Sequence, residues 1–243
     1  MLKTGLQSIL RFVYPPQCLT CGALVDSDHG LCGPCWRDTP FITSLTCDLC
    51  GQPLPGEAGE EAHCDDCLRI ARPWHKGRSV FQYAANGRRL ILGLKHGDRL
   101  DYGAPAARWM ALRARLMVKD QPALVVPIPM HWRRQMRRRY NQAAVLARGL
   151  AQALDRPASL DLLLRPHATM EHKNMTSRQR FRNMEGAFRV NPRRREKARG
   201  ATILLVDDVM TSGATLAAGA EACLAAGASQ VFVQTLARVT KIP

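Results

Sequence analysis

The sequence predicts an α/β protein, a parallel sheet with helices on both faces, preceded by a small module held by metal rather than by an apolar core. Three observations predict it. Beyond about residue 76, short apolar runs of strand length alternate with segments of helical periodicity, the pattern of a parallel sheet. Eight of the nine cysteines fall within the first 67 residues as four CxxC pairs. The 243 residues, 46% apolar and 23% charged, suit one ordinary domain plus a small module and exclude a disordered tail protein.

Taken in order, Met1 to Tyr14 carries Leu2, Leu6, Ile9, Leu10 and Val13 at helical spacing, with Gln7, Ser8 and Arg11 between them. This is an amphipathic helix ended by Pro15 and Pro16 rather than the unbroken apolar core of a secretory signal. No stretch reaches the ~20 apolar residues that span a bilayer, so no membrane insertion is expected. The expected compartment is the cytoplasm, where thiols stay reduced.

That compartment decides how the cysteines are read. Each CxxC, namely Cys18 and Cys21, Cys32 and Cys35, Cys47 and Cys50, Cys64 and Cys67, aims two thiolates at one point, and two such turns complete a tetrahedral zinc site. Two structural four-cysteine zinc sites follow. Sequential pairing leaves 10 residues between the knuckles of the first ribbon and 13 in the second, while a cross-braced arrangement stays open. Gly22, Gly33 and Gly51 beside the ligands suit the positive φ of such turns. His29 and His63 read as surface residues, and Pro53 to Ala62 as an exposed loop. Zinc is expected to supply most of this module's folding free energy, on the order of 10 kcal/mol per site.

The remaining chain reads as a strand at Arg78 to Ala84, helices at Gly87 to Leu94 and Ala104 to Met117, and a strand at Ala123 to Ile128. A helix follows at Gln142 to Leu154, then a buried strand at Ala201 to Val206, an alanine-rich helix at Ala214 to Ala226 closed by Gly227, and a strand at Gln230 to Leu236. Cys223, in the alanine-rich helix, reads as a small core residue. The domain boundary falls after residue 75: the N-terminal helix and double ribbon occupy 1–75, the α/β domain 76–243.

Ligands of a parallel sheet bind beyond the carboxyl ends of its strands. There Asp207 and Asp208 follow the strand ILLV, and Val209, Met210, Thr211, Ser212, Gly213, Ala214 and Thr215 lead into the next helix. Free amides at a helix start, a glycine and three hydroxyls make a phosphate cradle. Carboxylates beside an anion site need a bifunctional ligand, and a ribose 5-phosphate is one: its hydroxyls donate to carboxylates while the loop holds its phosphate.

The charge adds a second theme. The chain has 35 Lys plus Arg against 20 Asp plus Glu, a net +15. Residues 1–75 carry −4, 76–130 carry +7, 131–199 carry +13 and 200–243 carry −1. A basic middle of this size favours polyanionic partners. Within it, Trp132 and Tyr140 flank Arg133, Arg134, Arg137, Arg138 and Arg139, rings that stack bases among cations that follow phosphates. Packing of the neighbouring loop by Trp132, or attraction of a sugar pyrophosphate by the arginines, explains the same residues. Arg193, Arg194, Arg195, Lys197 and Arg199 have no aromatic neighbours and suit only sequence-independent phosphate contact.

ILLVDDVMTSGAT closely resembles the 5-phosphoribosyl pyrophosphate (PRPP) signature of type I phosphoribosyltransferases. Together with the four CxxC pairs, the chain is similar to the ComF family, ComFC-like competence proteins that join a double zinc ribbon to such a domain. LKHGDRLDYG at 94–103, VPIPMHWRRQMRRRYNQAAVLA at 126–147 and SRQRFRNMEGAF at 177–188 extend the resemblance over nearly the whole chain. It implies that Asp207 and Asp208 bind the ribose hydroxyls, and that Met210, Thr211, Ser212, Gly213, Ala214 and Thr215 bind the 5-phosphate. Lys95, Pro129, Met130, His131, Arg178 and Arg180 become candidate pyrophosphate contacts, and Arg165 to Asn183 a loop closing over the site. In that loop the family tends to carry Gln where this chain has His172.

The implied chemistry is Mg²⁺-dependent transfer of 5-phosphoribose from PRPP, or a related sugar phosphate, to an acceptor that the sequence leaves unnamed, linked to DNA uptake. No residue identifies itself as the acceptor's base. The alternative is a competence factor that binds single-stranded DNA with the same fold and no turnover, working with the DNA-uptake machinery. A third reading is a zinc-ribbon adaptor on a degenerate transferase fold.

Overall fold

The computed structural model describes residues 15–26, 30–57, 61–96, 99–119, 121–132, 136, 140–167, 169–170 and 175–240. The amphipathic stretch at 1–14, His29, His172 and the arginines at 133, 134 and 137–139 lie outside the described residues.

Four parallel strands form the sheet: β1 Gly77–Gln82, β2 Leu124–Pro127, β5 Thr202–Met210 and β6 Gln230–Arg238, in the order β1-β6-β5-β2. Two short antiparallel strands, β3 Leu163–Leu164 and β4 Arg189–Val190, make a separate pair that the periodicity does not reveal. Side chains alternate along the strands. Ile203, Leu205, Val231 and Val233 enter one core, while Leu204, Val206 and Phe232 enter the other. The second core is closed by helices α3 Ala85–His96, α4 Gly103–Val118 and α5 Gln142–Leu154. The first is closed by α6 Ser177–Met184 and α7 Ala214–Ala225. Cys223 is buried there, its thiol pushed up to about 12 by that burial.

The two ribbons repeat one local design. Each opens with a turn in which the glycine after the second cysteine donates back to the first: Gly22 N to Cys18 O at 3.0 Å, Gly51 N to Cys47 O at 2.9 Å. Both glycines hold positive φ, +76° and +67°. Each closes on a one-turn helix, α1 Gly33–Arg37 or α2 Asp65–Arg69. Gly33 departs from expectation: it starts α1 and has no positive φ, because its knuckle is a helix start rather than a left-handed turn.

The ribbons also cover the sheet's β1 edge. Ile42 N donates to Val80 O at 2.9 Å and Gln82 N to Pro40 O at 2.9 Å, so the segment joining the ribbons satisfies an edge that would otherwise pair with another chain. Cys47, Cys50, Cys67 and Trp74 belong to the core under α7, and Leu19 of the first ribbon to the core under α4. Arg78 on β1 grips Asp48 at 2.6 Å, and the Trp74 indole donates to Leu49 O at 2.6 Å.

Candidate functional site

The cleft forms where two neighbouring strands end at different heights. β2 pairs with β5 from Leu124 opposite Ile203 to Pro127 opposite Val206, and stops. β5 continues beside β6 as far as Met210 opposite Arg238. The acidic pair therefore lies inside β5, which runs four residues past Val206, the end that the apolar run suggests. The sequence signal stops at Val206 because the next two side chains are ionisable, whereas the backbone ladder to β6 does not stop. Where β2 is missing, β5 has an open flank, and Asp207 and Asp208 line it.

Around them stand Lys95 from the end of α3, Ile128, Pro129 and Met130 after β2, Asn141, Gln142 and Ala143 at the start of α5, Arg165, Thr169 and Thr215. Lys95 Nζ lies 3.1 Å from Asp208 Oδ2. Asp207 Oδ1 accepts from the Asp208 amide at 2.8 Å. Burial first, and then the Asp208 carboxylate, push the Asp207 acid up to about 7. Asn141 caps α5 by accepting from Ala143 N at 3.0 Å while donating to Ile128 O at 3.0 Å, which ties the loop after β2 to the helix.

Beyond Met210 the chain turns through Gly213, at φ +84°, into α7. The turn sets the N-terminus of α7 beside an exposed Thr211 and a half-buried Ser212 and Thr215, with Ala214 N donating to Ser212 Oγ at 3.4 Å. Met210, expected among the phosphate contacts, has its side chain buried in the core, and its carbonyl, like that of Thr211, accepts from Arg238.

Several expected contacts come together here and others do not. Lys95, Pro129, Met130, Asp207, Asp208 and Thr215 share the cleft. His131 is buried against the Trp132 ring, 5.7 Å between centres. Trp132 is 56% exposed. Tyr140 is half-buried and its hydroxyl donates to Leu94 O at 2.6 Å, so it anchors the segment to α3. Arg178 lines a groove between α6 and α7, and Arg180 is not among the residues lining the cleft. Arg193, Arg194 and Arg195 are exposed, with Arg194 paired to Asp161 at 2.9 Å.

Gln142 carries no signal that sequence reading picks out. It is 1% exposed, lines the cleft, and its Nε2 has no hydrogen-bond partner among the described residues. A glutamine at a helix start looks like any polar first-turn residue until the fold brings it to the aspartates.

The cysteines gather as two sets, Cys18, Cys21, Cys32, Cys35 and Cys47, Cys50, Cys64, Cys67, with all sulfurs of a set within 4.8 Å of one another. Cys21 to Cys32 and Cys50 to Cys64 are each 3.6 Å apart. A tetrahedron with Zn–S of about 2.3 Å has edges of about 3.8 Å, so both sets fit zinc, with sequential pairing.

Two family models match the chain: a double zinc ribbon domain over residues 9–68 and a phosphoribosyl transferase domain over residues 141–241. The molecule is thus a double zinc ribbon joined to a phosphoribosyltransferase-type domain. Relatives cover nearly its whole length. DNA utilization protein YhgH of Salmonella typhimurium is 32% identical over 92% of this chain and 97% of that protein. Competence protein F of Haemophilus influenzae is 28% identical over 91% and 96%, and Competence protein ComFC of Bacillus subtilis 29% over 88% and 87%. The chain belongs to the ComF family, that of YhgH, Competence protein F and ComFC.

Proposed function

We propose that the protein binds Mg²⁺–PRPP and transfers, or releases, its 5-phosphoribosyl group in the service of DNA uptake and use. One observation carries the reading: a single cleft holds two adjacent carboxylates on the open flank of β5 and Thr215 from the first turn of α7, the helix that the hydroxyl-bearing segment Thr211–Gly213 leads into. Asp207 and Asp208 receive the ribose hydroxyls, and the amides and hydroxyls from Thr211 to Thr215 receive the 5-phosphate. Lys95 and Arg165 bring positive charge to the pyrophosphate side. When bound, Mg²⁺ neutralises the leaving oxygens, and Asp207 and Asp208 are the carboxylates at hand to hold it. The process is inferred from the DNA utilization and competence proteins that the chain resembles, and the cytoplasmic setting from thiols that must stay reduced to hold zinc. Among the described residues no helix is long and apolar enough to cross a membrane.

Calorimetric titration of Mg²⁺–PRPP tests the site. Binding at about micromolar Kd, lost in the double variant Asp207→Asn, Asp208→Asn, is the expected result. Equal binding by both proteins would remove the aspartates from the site, and no binding by wild type would remove PRPP.

The exposed Trp132 favours a second role on the same fold, stacking the bases of single-stranded DNA beside a basic segment. Trp132→Ala should then weaken oligonucleotide binding by about 1–3 kcal/mol and leave PRPP binding unchanged. Affinity for DNA should also fall by orders of magnitude between about 50 and 200 mM salt. Retained DNA affinity in the variant would dismiss the ring as a stacking platform.

A further inference from the structure

Two arginines join the second four-thiolate site to the phosphate loop. Arg72 follows the ligand Cys67; its Nε donates to Cys67 Sγ at 3.4 Å and its Nη1 to Ser212 O at 2.8 Å. Its guanidinium lies 5.5 Å from the Trp74 ring centre and 5.6 Å from that of Phe181 on α6. Arg238, at the end of β6 and 3% exposed, places Nη2 at 3.8 Å from Cys50 Sγ. Its Nη1 donates to Met210 O at 3.2 Å, to Val239 O at 2.8 Å and to Thr211 O. Both cations thus have sulfur on one side and carbonyls of residues 210–212 on the other.

The geometry points to a specific role. Carbonyl and N–H lie on opposite sides of a trans peptide. Holding the carbonyls of Met210, Thr211 and Ser212 toward the sulfurs therefore aims the amides of Thr211, Ser212 and Gly213 away from them, to the side where a phosphate sits. Gly213 is pressed against the same support, since a Cβ there would lie 2.9 Å from Arg72 Nη1 and 3.2 Å from the Trp74 ring. Four thiolates around zinc carry a formal −2, which makes them partners for two arginines held this close to the core.

We infer that the second zinc site is the support on which the phosphate loop is set, with Arg72 and Arg238 as positioning residues, so that zinc retention there and phosphate binding are linked. The inference rests on the sugar-phosphate reading for its ligand. Thermodynamic linkage makes the coupling reciprocal. The ribbon is then part of the binding site's framework as well as a fold staple.

The test uses the full chain loaded with zinc at both sites. Hydrogen–deuterium exchange of Arg72→Met at unchanged zinc content should show the amides of Ala217 and Val239, which donate to Gly213 O and Met210 O, exchanging about tenfold faster or more, with β2 unaltered. Unchanged exchange at these amides would overturn the inference, whether or not PRPP binds. In wild type, saturating Mg²⁺–PRPP should slow the loss of one zinc to a colorimetric chelator by about fivefold or more. The other zinc, in the first ribbon, serves as the control. Arg72→Met should abolish that protection. Equal release with and without ligand, in a protein that calorimetry shows to bind PRPP, would also overturn the coupling. Absence of PRPP binding would instead count against the proposed function, and the exchange measurement would still decide the role of Arg72.

Discussion

At Asp207, burial and the neighbouring Asp208 push the acid up to about 7, so the ligand-free fold prefers this side chain protonated. The sign follows: the group favours folding most below the unfolded carboxylate range near 4, and that benefit is lost as pH rises through about 7. Asp207→Asn should therefore raise the melting temperature of the ligand-free protein by about 3 °C at pH 8 and by less at pH 5.5, read by thermal unfolding. An equal gain at both pH values would show that charge is not the cause. If the proposed site binds Mg²⁺–PRPP, the same titration should make that affinity rise between about pH 6 and 8 as the carboxylate ionises. The acidic pair is legible in sequence because two carboxylates after an apolar run have no place in a core. Gln142 and Asn141 are not, because a polar helix start is ordinary and only the fold shows that this one abuts the aspartates.

Among the elements, apolar runs and periodicity place all four parallel strands and helices α3, α4, α5 and α7, because burial demands apolar residues throughout β2, along most of β6 and on one side of α5. The pattern stops β5 early because Asp207 and Asp208 line the cleft, although the backbone of 207–210 still pairs with β6. Helix α6 falls inside the stretch expected to be a closing loop. Its sign was present: Thr176 and Gln179 form a capping box, Thr176 Oγ1 accepting from Gln179 N at 3.3 Å while Gln179 Oε1 accepts from Thr176 N at 2.7 Å. The helix that follows, Ser177–Met184, is strongly basic, which masks its single apolar stripe at Phe181 and Met184. The proposed phosphate loop turns on one backbone value, the +84° φ of Gly213. Gly213→Ala adds left-handed strain of about 1–2 kcal/mol and a contact with Arg72, so PRPP affinity should fall about tenfold or more. Wild-type affinity in that variant would mean the loop is not the phosphate site.

Over the whole molecule, CxxC spacing reveals that thiolates meet, and the structure adds where they meet. Coordination is a local pattern, but nothing in the spacing tells that Cys47, Cys50 and Cys67 enter the core beneath α7, or that residues 40–42 close the sheet edge. Expected as a small module stapled by metal, the ribbons also bury part of the transferase-type domain. Removing both zincs with a chelator should thus lower the stability of α7 and β6 as well as the ribbons, visible as faster amide exchange across 214–238. Exchange confined to the ribbons would mean that the shared core survives without metal. The central claim, a sugar-phosphate cleft braced by the second zinc site, is tested most directly by a crystal structure of the zinc-loaded chain with Mg²⁺ and PRPP. The predicted result is the 5-phosphate on the amides from Thr211 to Thr215, the ribose hydroxyls on Asp207 and Asp208, and Arg72 and Arg238 still bridging sulfur and loop. An empty cleft at saturating PRPP, or the ligand held on the exposed arginines at 193–195 instead, would contradict it.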